Sequence, residues 1–159
     1  MKRIILPLLL VCCLLLCACA RSADNETGAA ALAEHIRENL SARGVLISAD
    51  DDFYLLNFSD APAPAERAVY SSGTAPTTEF GVFRMENEKD AAEMERAVRS
   101  YLETEKESRA SLARLYPTED ADEDFSRFEN ALCGRNGKTV YYFVGDSENA
   151  ARAKEILNL

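Results

Sequence analysis

Residues 78–116 constrain the fold more than any other stretch of the chain. They open as an apolar run, Glu79-Phe80-Gly81-Val82-Phe83-Arg84-Met85, and turn at Glu86-Asn87 into a long acid-rich segment. In that segment Ala91, Met94, Val98, Tyr101/Leu102, Leu112 and Leu115 recur at three- and four-residue spacings, which predicts one amphipathic helix. Asn87 is a suitable N-cap, and Asp90 three residues on reinforces the first turn. Nothing breaks the run until Pro117, which restricts the residue before it. At 1.5 Å per residue the helix is roughly 40 Å long. Its apolar stripe thins over 103–111, where the helix is free to bend or protrude. A strand leading straight into such a helix needs further strands and helices to cover both.

The N-terminus sets the compartment. Met1-Lys2-Arg3 is a basic start, residues 4–16 are apolar, and Leu16-Cys17-Ala18-Cys19 follows the lipobox order of an aliphatic residue, two small residues and a lipid-accepting cysteine. The apolar run is short for a membrane span and suits a signal peptide. The expected division is a signal peptide over 1–18, lipidation at Cys19, a polar tether over 19–28, and one domain over 29–159. Removal of 1–18 takes Lys2 and Arg3 and no acid, so the processed chain is more acidic than the net charge of −9 of the whole. That balance disfavours nucleic acid, whose phosphates need a basic face, and disfavours anionic headgroups. Membrane attachment then falls to the lipid on Cys19. Of five cysteines, Cys12, Cys13 and Cys17 leave with the signal and Cys19 is acylated. Cys133 is left alone, so no disulfide forms within the domain, and it reads as a small packed residue.

Downstream, residues 29–43 read as an amphipathic helix with Leu32, Ala33, Ile36 and Leu40 inward and Gly44 as its stop. His35 lies on the flank of that stripe as a surface residue. Val45-Leu46-Ile47 is a short strand or a docking loop, and Asp50, Asp51 and Asp52 start a two-turn helix over 53–58. A Pro-Ala turn over 61–65 is followed by strands over 67–72 and 78–85, expected to be antiparallel. Gly81 marks a bulge or a close approach of the long helix. Residues 119–124 (EDADED) start a helix whose buried face is Phe125, Phe128 and Leu132. Asn136-Gly137 signals a hairpin into the strand TVYYFV over 139–144, and Asp146 or Ser147 caps a last helix over 148–157.

Residues 78–91, TEFGVFRMENEKDA, resemble the central signature of a bacterial, mostly Gram-positive, lipoprotein family known as a domain of unknown function, number four-three-five-eight. The similarity runs from about residue 30 to residue 157, through the long helix, the Tyr116-Pro117 stop, and the closing hairpin and helix. It implies a place on the outer face of the cytoplasmic membrane and carries no activity.

The expected fold class is α+β, a small antiparallel sheet covered by helices in a two-layer sandwich, with the long and last helices on one face. No catalytic set, metal spacing or phosphate loop stands out, and no cofactor is expected. Asp120, Asp122 and Asp124 share the opening spacing of a calcium loop, but Phe125 and Ala131 stand where its turn glycine and closing glutamate belong. Both acidic runs therefore read as helix starts and solvated surface. The expected function is a non-enzymatic binding domain for an unknown protein or envelope partner. The alternative is a small-ligand or cation-binding accessory of a transport or sensory system.

Overall fold

A computed structural model of the chain describes residues 28–41 and 45–157. The signal segment, Cys19, the tether up to residue 27 and the Gly44 helix stop lie outside them. The elements run α1 (Ala29–Asn39), β1 (Ile47–Ser48), α2 (Asp51–Phe58), β2 (Glu66–Ser71), β3 (Glu79–Arg84), α3 (Glu88–Leu115), α4 (Glu119–Glu129), β4 (Leu132–Asn136), β5 (Thr139–Val144) and α5 (Ser147–Leu157). The fold class is α+β: one five-stranded antiparallel sheet in the order β1-β2-β3-β5-β4, with five helices among the described residues. None of these helices is long and apolar enough to cross a membrane.

The sheet is covered on both faces, so the two expected layers become three. Side chains alternate along a strand. Phe83, Val140, Tyr142 and Val144 therefore face α2, α3 and α4. Phe80, Val82, Tyr141 and Phe143 face α1 and α5. The last helix thus lies opposite the long one, not beside it. The cause is in the central strands, where β3 and β5 carry apolar side chains at successive positions and both faces need cover.

Each helix start is fixed by an acceptor for its free amides. In α3 the Asn87 carboxamide oxygen accepts from the Asp90 amide at 2.9 Å while its nitrogen donates to the Asp90 carboxylate at 2.7 Å. Asp50 accepts from the Phe53 amide at 3.0 Å to begin α2, and Thr118 accepts from the Ala121 amide at 3.2 Å to begin α4. The first residue before α1, Gly28, has no side chain to offer. Glu66 of β2 supplies the acceptor instead, taking the Ala29 and Ala30 amides at 2.9 and 3.0 Å. Glu66→Ala is expected to lower stability by about 0.5–2 kcal/mol, and Glu66→Gln by less. Equal denaturation midpoints for wild type and the alanine variant would show that α1 does not depend on this cap.

Several details differ from expectation. α1 stops at Asn39 rather than Arg43 because α5 takes over its end: Arg152 donates to the Asn39 carbonyl at 3.2 Å and the Ser41 amide donates to Asn149 at 2.9 Å. Leu132 belongs to β4 opposite Phe143, not to the buried face of α4. Asn136 is the last paired residue of β4, opposite Thr139, and Gly137 at φ +54° opens the turn. Gly81 is neither a bulge nor a helix contact, since its ladder is regular on both sides. A Cβ there would meet the Tyr142 ring at 2.4 Å, so the close approach is to the neighbouring strand. The α3 stripe holds as core through Leu102, whereas Leu112 and Leu115 lie outside it, with Leu115 71% exposed.

Candidate functional site

Two places concentrate polar chemistry or open surface. The first is internal, at the end of the sheet where β2 passes into β3. Glu79 enters the core at the start of β3, 5% exposed. The hydroxyls of Tyr101 on α3 and Tyr142 on β5 both donate to its Oε1, at 2.7 and 2.8 Å. Burial pushes the Glu79 carboxyl above its ordinary value, against the opposing pull of hydrogen bonds from Tyr101, Tyr142 and Ser71. Burial and the nearby Glu79 charge likewise push both tyrosines up. A carboxyl so placed accepts from two phenols at once. It faces inward rather than a cleft.

Next to it, α4 clamps the 72–78 connection. Arg127, also 5% exposed, donates from Nη1 to the carbonyls of Pro76 and Thr77 and to the Thr78 hydroxyl, at 3.0, 3.1 and 3.1 Å. Its Nη2 pairs with Glu123 at 2.6 Å. Asp124 accepts from the Thr77 amide at 2.6 Å and lies 3.4 Å from Arg109 of α3. The Nε atoms of Arg109 and Arg127 are buried without a hydrogen-bond partner. Asp124 was expected at the surface with Asp120 and Asp122. Those two are exposed, but Asp124 is buried and its carboxylate is engaged. The start of α5 beside Arg127 is filled by Asp146, which accepts from the Asn149 amide at 2.9 Å. Burial alone would raise Asp146, yet those Asn149 bonds and the Arg127 charge hold it below its ordinary value.

The remaining candidate residues do not converge. Cys133 lies half-buried on β4, and burial pushes its thiol up to about 11, far from a nucleophile's range. His35 is exposed on α1. Of the first acidic run, Asp50 caps α2, Asp51 pairs with Arg67 at 2.6 Å, and Asp52 faces solvent. Among the described residues no group of three or more His, Cys, Asp or Glu side chains is placed to hold a metal ion.

The second place is external, at the β1–α2 side of the sheet. Val45, Ile47, Leu55 and Leu56 all stand in solvent there, Leu56 at 83% exposure. A groove of about 340 Å³ between α2 and α3 is lined by Leu56, Tyr101 and Glu105. A cleft of about 370 Å³ opens at the sheet edge between Asp50, Asp51 and Tyr54 on one side and Ala30 on the other. Tyr101 touches both places, since its ring lines the groove and its hydroxyl holds Glu79.

Reasoning from the sequence missed Glu79, Arg109 and Arg127, and singled out Asp124 only to read it as surface. Glu79 had one visible signal, as an acid at the head of an otherwise apolar strand. The other three had none, because acids and arginines four residues apart on a helix are written like a solvated face. Compared with protein-family models, with curated proteins and with solved structures, the chain matches none.

Proposed function

We propose that the chain is a lipid-anchored, extracytoplasmic binding domain, held to the membrane through Cys19 and acting by contact with a protein or envelope component rather than by catalysis. One observation carries the binding reading. Four of the seven large apolar side chains left exposed among the described residues, Val45, Ile47, Leu55 and Leu56, come from two short consecutive segments beside one sheet edge. Single exposed apolar residues are ordinary, whereas four from two neighbouring segments, with Leu56 lining a groove, suit an interaction surface. The anchoring reading is supported by the order of basic start, apolar run and lipobox ending at Cys19.

Both halves are open to test in whole cells. A fatty-acid probe is expected to label the wild type and not Cys19→Ala; equal labelling would end the anchoring reading. A photo-crosslinking residue in place of Leu56 is expected to give a discrete adduct in the membrane fraction. The same residue in place of the exposed Glu88 at the start of α3 is expected to give none. Indistinguishable patterns from the two positions would end the binding reading.

A further inference from the structure

The outer side of β2 is only half covered. β1 supplies partners for Ser71 and Tyr70, and the Ala49 amide donates to the Val69 carbonyl at 2.8 Å. Among the described residues no strand residue stands opposite Arg67 or Ala68 on that side. Backbone groups alternate along a strand, so the outward carbonyl of Val69 means that the amide and carbonyl of Arg67 point outward too. On the other side Arg67 and Ala68 are fully in register with Phe83 and Val82 of β3. The vacancy therefore lies at one edge of a well-formed sheet. It coincides with the 370 Å³ cleft. The Arg67 side chain is drawn toward α2, its guanidinium 4.1 Å from the Tyr54 ring centre and 2.6 Å from Asp51.

Resting on the binding reading above, we propose that this cleft takes a short, extended, positively charged polypeptide segment, which adds to β2 beside Arg67 and continues the line of β1. An amide and carbonyl offered by one strand are matched by another strand and not by a helix, whose own groups are internally paired. At about 3.3 Å per residue, two or three residues span the open positions. Charge selects the partner. Asp50, Asp51 and Asp52 stand at the α2 side with Arg67 as their local counter-charge, in a chain of net charge −9. That field attracts lysine and arginine and repels phosphate or a second copy of this chain.

Hydrogen exchange on the full chain in detergent tests the proposal. The probe is a capped peptide of alternating lysine and valine. Its two controls are the same peptide N-methylated along one edge and a glutamate–valine peptide. At ten times its dissociation constant the lysine probe is expected to slow exchange across 64–70 by about tenfold, with no protection from either control. Asp51→Asn and Asp52→Asn are expected to weaken the lysine probe by about two- to fivefold for each charge removed. Equal protection by the N-methylated peptide would rule out strand addition, and equal protection by the glutamate peptide would rule out the charge argument. Protection of 64–70 without any probe, together with a dimer by light scattering, would assign the edge to a second copy and overturn the proposal. If the crosslink at Leu56 forms while the edge stays unprotected, this inference falls alone. If both fail, the binding reading falls with it.

Discussion

Arg127→Ala is expected to remove about 3–5 kcal/mol of stability, the range for breaking a buried ion pair from one side. The size follows from what the guanidinium leaves behind. Two carbonyls and a hydroxyl of the 72–78 connection lose their donor, and Glu123 and Asp146 lose a neighbouring positive charge. Each buried group left unmatched costs about 1–3 kcal/mol. Lysine does not repair the site, because a single ammonium cannot reproduce a planar fork that reaches the loop with one nitrogen and Glu123 with the other. Arg127→Lys is therefore expected to fall nearer to alanine than to wild type in urea denaturation. An alanine variant within about 0.5 kcal/mol of wild type would mean that the clamp contributes nothing net. A large change in the denaturant slope would show instead that the variant changes the compactness of one state or no longer unfolds in two states.

The second large effect concerns Glu79. Alanine there strands the hydroxyls of Tyr101 and Tyr142, at about 1–3 kcal/mol for each, whereas glutamine keeps an acceptor of the same reach. Glu79→Ala is thus expected to be well below Glu79→Gln at every pH. The acid itself adds a pH dependence whose sign follows from its raised value. Between the ordinary 4.5 and the higher folded value, the folded protein holds a proton that the unfolded chain has released. The contribution of Glu79 is therefore full below 4.5 and is lost as pH rises through the folded value. Glutamine has no such loss. The stability of Glu79→Gln relative to wild type is expected to climb with pH across that window and then level off. A difference between the two proteins that stays flat, or that falls, would show that Glu79 is not held in its neutral form.

Much of the fold was legible because it is written locally. The α3 start at Asn87, its stop before Pro117, the Asp50 cap and the assignment of alternate β5 side chains to opposite faces depend on residues within a few positions of one another. The second covered face also had a signal, in the unbroken apolar run Tyr141-Tyr142-Phe143-Val144, which no half-exposed strand would carry. The site was legible only in part. The acids of α2 could be seen, but not the exposure of Leu55 and Leu56, nor that β1 ends after two residues and leaves Arg67 without a strand partner among the described residues. The clamp around Arg127 could not be seen at all. It exists because α4 meets a loop 50 residues earlier in the chain, and nothing in the helix itself distinguishes that meeting from solvent.

The strand order has a consequence for how the protein is made. β5, the last strand in sequence, sits in the interior of the sheet, between β3 and β4. Until Val144 has reached its place, β3 is bordered on one side only, and its apolar side chains on both faces lack their inner neighbours. Such an unpaired inner edge is a template for joining the wrong chain. Helices α3 and α4 span the interval between these two strands and form quickly from local contacts. They draw the distant partners together and shorten the time for which a nascent copy is exposed to its neighbours.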